Sequence, residues 1–142
     1  MLNTHFLGKI TELQVAEAFL QRGFQVSQPL VSDSRYDFIV DINGHLLKIQ
    51  VKTSHPEDDG AYITFATSSS HTNTERTINK GYSADEIDYF ATFYGGQCYV
   101  MSVNESAKRS QRLRIIPPKN GNQKQIKFAE NYTLDKFLAT LV

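Results

Sequence analysis

The chain has 142 residues with 15 basic and 15 acidic side chains, which fits one domain over residues 1–142 and argues against a protein that coats a polyanion through bulk charge. No run of about 18 apolar residues could span a membrane, and the N-terminus lacks the apolar core of a signal peptide, so we expect no membrane association. One cysteine excludes an internal disulfide framework and fits a reducing compartment, so we expect a cytoplasmic protein. Four scattered histidines argue against a structural zinc site.

The first predicted element is a helix over Thr4–Arg22, which Gly23 ends because glycine tolerates a left-handed φ. On a helical wheel, Glu12 and Glu17 lie at opposite margins of one apolar stripe, and the pattern does not choose between them as functional groups. The stripe, which we expect to be buried, consists of Phe6, Ile10, Leu13, Ala16 and Leu20. A short strand with Phe24 and Val26 follows and ends at Pro29.

The next predicted element is a β-hairpin over Tyr36–Thr53, with Asn43-Gly44 as its two-residue turn. Both positions of a type I′ turn need a positive φ, which Asn and Gly tolerate. Counting from the turn predicts one apolar face, and a slip by one residue would scramble it. The predicted pairs on that face are Ile42 with His45, Val40 with Leu47, Phe38 with Ile49, and Tyr36 with Val51.

The other face of this hairpin brings Asp37 opposite Gln50, with Lys52 two residues further along the same strand. Carboxylate and amide oxygens suit Mg²⁺, and an adjacent lysine could activate the water that attacks a phosphodiester. These three residue types therefore indicate a small hydrolytic site. The alternative is an exposed salt bridge between Asp37 and Lys52 on a solvated sheet face.

The remaining elements predict an α/β fold with a central mixed β-sheet flanked by α-helices. The polar run Ser68–Gly81 is either a surface loop or a segment that clamps phosphates or reads a groove. The final helix has Thr133 as N-cap and Leu134, Phe137, Leu138 and Leu141 as its apolar stripe. The other predicted elements are a strand over Tyr62–Ala66, a hairpin of Ile87–Tyr94 and Gln97–Val103, and a short strand with Arg112 and Arg114 that ends at Pro117-Pro118.

Basic residues are concentrated in residues 104–127, where Glu105 is the single acid. Such a segment is either a solvated tail or a surface whose local field attracts a polyanion. The basic residues of the segment are Lys108, Arg109, Arg112, Arg114, Lys119, Lys124 and Lys127.

Three stretches, GKITELQVAEAFLQRGFQV, RYDFIV and LLKIQVKTS, resemble the PD-(D/E)XK nuclease superfamily. The likeness is nearest to its group I intron-encoded homing endonucleases and more distant to archaeal Holliday-junction resolvases, and it covers residues 8–54. It implies a restriction-endonuclease-like core. It also implies that Glu12 is the helix glutamate, Asp37 the strand aspartate, and Gln50-Val51-Lys52 the (D/E)XK triplet. Asp37, Glu12, Gln50 and the main-chain carbonyl of Val51 would then hold Mg²⁺ or another divalent cation.

Gln50 departs from the pattern, because the superfamily usually has Asp or Glu there. One neutral carbonyl oxygen should bind a cation more weakly than a carboxylate. Some intron-encoded nucleases are similar in carrying Gln at this position, and Glu12 could supply the missing charge. The departure leaves open a catalytically inactive DNA-binding module of the same fold.

The resemblance implies site-specific cleavage of double-stranded DNA for intron homing, with a Holliday-junction resolvase as the alternative. So short a chain would need several copies to cover a long target, and the intron-encoded relatives are homo-oligomers, so we expect a dimer or tetramer. Arginine and lysine would contact phosphates, and some could read bases. The expected DNA contacts are Arg35, Arg76, Lys80, Lys108, Arg109, Arg112 and Arg114.

Overall fold

The computed structural model describes residues 2–72, 77–121 and 124–141. In chain order the elements are α1 (Thr4–Gln21), β1 (Gln25–Ser27), β2 (Phe38–Ile42), β3 (His45–Val51), β4 (His55–Glu57), β5 (Tyr62–Ala66), β6 (Ser68–Thr72), β7 (Thr77–Gly81), β8 (Tyr89–Tyr94), β9 (Gln97–Ser102), β10 (Ser110–Arg114), a 3₁₀-helix (Ala129–Tyr132) and α2 (Leu134–Thr140).

The central sheet has five strands in the order β1-β2-β3-β8-β9. Its β3 and β8 strands run parallel, and its other neighbouring strands run antiparallel. A smaller sheet has the order β10-β5-β4, and β6 pairs with β7 in a two-stranded ribbon. The α/β class and the mixed central sheet are thus as predicted.

Two hydrophobic clusters define three layers. The first joins α1 and α2 to one face of the central sheet, and its members include Val15, Phe19, Val40, Ile49 and Phe137. The second lies between the central sheet and the smaller sheet, and its members include Ile63, Phe65, Phe90, Met101 and Leu113. Among the described residues, helices therefore cover one face of the central sheet and the smaller sheet covers the other.

The buried face of α1 differs from the predicted stripe. Val15 and Phe19 are fully buried, whereas Phe6, Ile10 and Leu13 are exposed. The helix carries apolar residues on more than one side, and contact with the sheet selects the side that contains Val15 and Phe19. The predicted stripe is therefore wrong as a core face, and it leaves an apolar surface on the outside of the helix.

The register of the first hairpin is confirmed. Phe38 pairs with Ile49, and Ile42 pairs with His45. Asn43 has φ 54° and Gly44 has φ 89°, as a type I′ turn requires. One pair is wrong, because Tyr36 precedes β2 and packs in the second cluster, whereas Val51 packs in the first.

Within the polar run Ser68–Gly81, the described strands β6 and β7 form the ribbon, in which Ser68 pairs with Gly81 and Ser69 with Lys80. The sequence of these strands has no alternation of apolar and polar residues, so the pairing was not predictable from the pattern. Arg76, one of the expected DNA contacts, lies outside the described residues. No helix in the described part of the chain is long and apolar enough to cross a membrane.

Candidate active site

Asp37 lies immediately before β2 and is fixed to β3 at two points. Its main-chain N–H donates to the carbonyl of Ile49 at 2.8 Å. Its Oδ2 accepts a hydrogen bond from the main-chain N–H of Val51, also at 2.8 Å. Because these two bonds join Asp37 to Ile49 and Val51 of β3, the carboxylate has one defined position beside the Gln50–Lys52 segment.

The environment of Asp37 raises the pKa of its carboxyl group to about 6. Burial is the main cause, and the negative charge of Glu12 adds to it. The Val51 hydrogen bond and the positive charges of Lys52 and Lys9 act in the opposite direction. The chain thus keeps a partly desolvated carboxylate near a second one, which is an arrangement that a bound cation would stabilise.

Glu12 reaches this place from the outer margin of α1. It lines a cavity of about 290 Å³ together with Asp37, Lys9 and Tyr36, and its side chain is 21% exposed. Glu17, the alternative that the sequence left open, lines a different cavity with Cys98. The structure therefore brings Glu12, and not Glu17, to the side of Asp37.

Gln50 touches Asp37 through its side-chain amide. With the amide nitrogen on that side, it donates to the main-chain oxygen of Arg35 at 2.5 Å and to Oδ2 of Asp37 at 3.3 Å. An amide oxygen in this place would face two other oxygens. A half-turn of the amide that presents its oxygen to Asp37 is therefore favourable only with a cation between the two groups.

Lys52 follows directly after β3, and its main chain is fixed by a hydrogen bond from its N–H to the carbonyl of Ala91 at 2.9 Å. Its Nζ donates to the main-chain carbonyl of Ser68 at 3.4 Å and lies 5.0 Å from the centre of the Tyr82 ring. The next residue is also anchored, since Thr53 Oγ1 is 3.2 Å from Thr11 Oγ1 on α1. This contact ties the lysine segment to the helix that carries Glu12.

Two residues near these groups were missed by the sequence reasoning. Lys9 is one helical turn before Glu12, and its Nζ lies 3.3 Å from Oε1 of Glu12. The helical spacing of Lys9 and Glu12 was a usable signal. Tyr82 gave no such signal, because its ring meets Lys52 only through the tertiary fold.

The donor set fits a hard divalent cation such as Mg²⁺. Glu12 and Asp37 supply carboxylates, and Gln50 supplies an amide. Val51 donates its main-chain N–H to Asp37, and its main-chain carbonyl is the fourth predicted ligand. In the portion of the chain that the structure describes, no three histidine, cysteine or carboxylate side chains converge on one point. Two carboxylates with additional neutral oxygens and water match the ligand preference of Mg²⁺.

We expect cation binding at this site to weaken as the pH falls through about 6, the pKa of Asp37. A proton and a cation compete for the same carboxylate, so the apparent affinity should fall about tenfold per pH unit below that value. Calorimetric titration of the chain with Mg²⁺ between pH 5 and 8 would measure this. The same titration of Asp37→Asn should show weak binding that varies little with pH, and an equal pH dependence in both proteins would contradict the assignment.

Several expected DNA contacts surround the base of the ribbon. Lys108 and Arg109 line a cleft of about 310 Å³ with Ser68 and Asn79. The main-chain carbonyl of Arg109 accepts a hydrogen bond from the N–H of Thr67 at 2.8 Å, which fixes this basic loop beside the ribbon. The cleft therefore lies next to the Lys52 end of the candidate site, because Ser68 belongs to both.

The side chains of Arg112 and Arg114 share one face of β10, as the alternating pattern predicted. Their guanidinium carbons lie 3.8 Å and 4.6 Å from the centre of the Tyr62 ring. Lys80 is exposed and lies 3.9 Å from Glu86. The Nε of Arg114 also donates to the main-chain carbonyl of Ile116. The guanidinium of Arg35 has the most protein partners of these residues, because it donates to Glu86, Ser69 and Gly81.

Residues 2–135 match the family described as PD-(D/E)XK endonuclease. No protein with a curated description matches the sequence. The fold is similar to a solved structure described as a bacterial homing endonuclease, I-Ssp6803I, with a TM-score of 0.83 and 21% identity over 99% of this chain and 95% of that chain. These findings confirm the expected family and fold. Because the family match spans nearly the whole sequence, the chain belongs to the PD-(D/E)XK endonuclease family.

Proposed function

We propose that the chain is a site-specific, Mg²⁺-dependent endonuclease of the intron-homing type that hydrolyses phosphodiester bonds of double-stranded DNA. The observation that carries the proposal is the convergence of Glu12, Gln50 and Lys52 on Asp37, whose carboxyl pKa is raised to about 6. A site that only stabilised the fold would gain nothing from a desolvated carboxylate beside a second one.

The residues divide the chemical work between them. Asp37 and Glu12 would hold the cation, and Gln50 would add its amide oxygen after the half-turn described above. When bound, the cation supplies Lewis-acid stabilisation of the scissile phosphate. Lys52 would activate the attacking water, and its positive charge would offset charge on the phosphate. The hydrolysis forms a P–O bond to the water oxygen and breaks the P–O bond to the leaving deoxyribose oxygen, which takes up a proton; it needs no reactant other than water.

The test of this function is cleavage of DNA in Mg²⁺ and in EDTA, with a library of linear duplexes and a four-way junction as substrates. We expect cuts at a defined sequence in linear duplexes with Mg²⁺ alone. Preferred cleavage of the junction would replace the homing assignment with a Holliday-junction resolvase. Binding without cleavage under all conditions would indicate an inactive DNA-binding module, which is the outcome that Gln50 would explain.

Arg112 and Arg114 are proposed to contact DNA phosphates, together with Lys80, Lys108 and Arg109. Replacing both Arg112 and Arg114 by alanine should weaken DNA binding and lower the slope of log affinity against log salt by about 2, since each phosphate contact contributes about 0.9. Fluorescence anisotropy over a range of salt concentrations would measure both effects. Lys136→Ala, an exposed charge on α2, serves as the control, and an equal effect of the control would remove the assignment.

The exposed apolar face of α1 supports the proposal that the chain forms a homo-oligomer. Phe6, Ile10, Leu13 and Leu20 keep between 40% and 61% of their surface exposed, and an apolar patch of this kind marks an interaction site. A second copy related by a two-fold axis at Leu13 would place an antiparallel helix there. In that pairing Leu13 meets its own copy and Phe6 lies beside Leu20.

Leu13→Asp should therefore reduce the oligomer to smaller species, because it places two carboxylates at the axis. Sedimentation velocity would report the change. Leu46→Asp makes the same substitution at a leucine of similar exposure, 65% against 61%, and should leave the oligomer intact. A wild-type chain that sediments as a monomer would sink this proposal.

A further inference from the structure

The β6–β7 ribbon is tied to the segments that carry the candidate active site. The main-chain carbonyl of Ser68, the first residue of the ribbon, accepts a hydrogen bond from Nζ of Lys52 at 3.4 Å. Arg35 donates to Oγ of Ser69 at 2.9 Å and to the carbonyl of Gly81 at 2.6 Å. Both strands of the ribbon thus end in contact with residues beside the site.

Tyr82, the residue after the ribbon, lies where these contacts meet. The Cζ atom of Arg35 is 3.8 Å from the centre of its ring, and Nζ of Lys52 is 5.0 Å from the same point. The ring meets Phe90 edge to face, with 5.4 Å between ring centres. Because Phe90 is buried and pairs with Gln50 in the sheet, the Tyr82 ring has a rigid support.

Arg35 links the same place to Gln50. Its Nε donates to Oε2 of Glu86 at 2.9 Å, which balances its charge so that two cations can approach one ring. With the amide nitrogen of Gln50 on this side, the main-chain oxygen of Arg35 accepts a hydrogen bond from it at 2.5 Å. One arginine therefore contacts the ribbon through its guanidinium and the side chain of Gln50 through its main chain.

We propose that Tyr82, with Arg35 against its ring, is a positioning residue that holds Lys52 in place and couples the seating of the ribbon on DNA to the alignment of this lysine. The proposal rests on the proposed nuclease function. A DNA backbone would bind in the basic cleft at the base of the ribbon, which contains Lys108 and Arg109. Binding there would press on the ribbon and, through it, on the contacts of Tyr82 and Lys52. Disturbing the connection should lower the rate of the chemical step and leave DNA affinity nearly unchanged.

The test compares three variants by single-turnover cleavage at saturating DNA and by DNA affinity in Ca²⁺. Tyr82→Leu removes the aromatic face and should slow cleavage about tenfold, with affinity within about twofold of wild type. Tyr82→Phe keeps the face and should restore the rate. Tyr94→Leu removes a ring from the same cluster and measures the cost of lost packing alone. Equal rates for Tyr82→Leu and Tyr94→Leu would overturn the proposal.

A second measurement reads the contact itself. The Lys52 ε-methylene signal, assigned by its loss in Lys52→Arg, should show a ring-current shift in wild type and Tyr82→Phe that Tyr82→Leu abolishes. An unchanged signal in Tyr82→Leu, from a wild-type protein that cleaves DNA, would overturn this inference and leave the nuclease function standing. A wild-type protein that cleaves no DNA would overturn both.

Discussion

Asp37→Asn is expected to lower DNA cleavage by about a thousandfold or more, because it removes the main charged ligand of the proposed cation. The same change should stabilise the metal-free chain at pH 7. The folded pKa of Asp37 is about 6 and its ordinary value is 3.8. As the pH rises from about 4 to 6, the carboxyl group of Asp37 therefore ionises in the unfolded chain before it ionises in the folded chain. The free energy of unfolding falls over this range and stays lower above it.

Thermal unfolding of both proteins in EDTA at pH 4 and pH 7 tests this expectation. Asp37→Asn should match wild type at pH 4 and be more stable at pH 7 by about 1–2 kcal/mol. Asp41→Asn is the matched control, since Asp41 lies at the other end of β2 and accepts a hydrogen bond from the turn residue Gly44. It should keep both activity and the wild-type stability profile. A less stable Asp37→Asn at pH 7 would mean that the carboxylate supports the fold.

Lys52→Ala is expected to lower the cleavage rate by about two to four orders of magnitude, the usual range for loss of a group that transfers a proton. DNA affinity should change little, because phosphate contacts along the wider surface supply most of it. Single-turnover cleavage and binding in Ca²⁺ separate the two effects.

Lys48→Ala is the control for this variant. Lys48 projects from the same face of β3, four residues before Lys52, and its Nζ donates to the carbonyl of Asp85 at 2.6 Å. The two variants therefore remove the same charge at two positions, one in β3 and one directly after it. Equal loss of cleavage in both would show that β3 contributes general positive charge and that Lys52 has no special role.

The hairpin that carries the candidate site was predictable from local sequence. Asn43-Gly44 determines the turn, the turn determines the register of β2 and β3, and the register places Asp37 beside Gln50. Each of these steps depends on residues close together in the chain, so no tertiary information was needed. The assignment of Glu12 came from family resemblance, because periodicity alone treated it and Glu17 alike.

The buried face of α1 could not be predicted in the same way. Phe6, Ile10 and Leu13 form a good apolar stripe, yet the sheet packs on Val15 and Phe19. A helix with apolar residues on two sides gives no local signal for which side meets the core. That choice depends on the shape of the sheet and, as we propose, on a second copy of the chain.

The contacts around Tyr82 were also beyond local reasoning. Arg35 and Tyr82 are separated by 46 intervening residues, and the ribbon between Ser68 and Gly81 has no alternating apolar pattern. A strand without apolar alternation looks like a loop in a sequence. The site is therefore partly predictable, whereas the surroundings that position its lysine are not.

The parallel pairing of β3 with β8 has a kinetic consequence. Ile49 pairs with Tyr89, and the main-chain N–H of Lys52 reaches its acceptor on Ala91 only after β8 has docked. During refolding from denaturant, the β2–β3 hairpin can form in about 1–10 μs because it is local, but closure of the long loop to β8 is slower. Catalytic competence should therefore return with the last, non-local pairing and lag behind the recovery of hairpin structure.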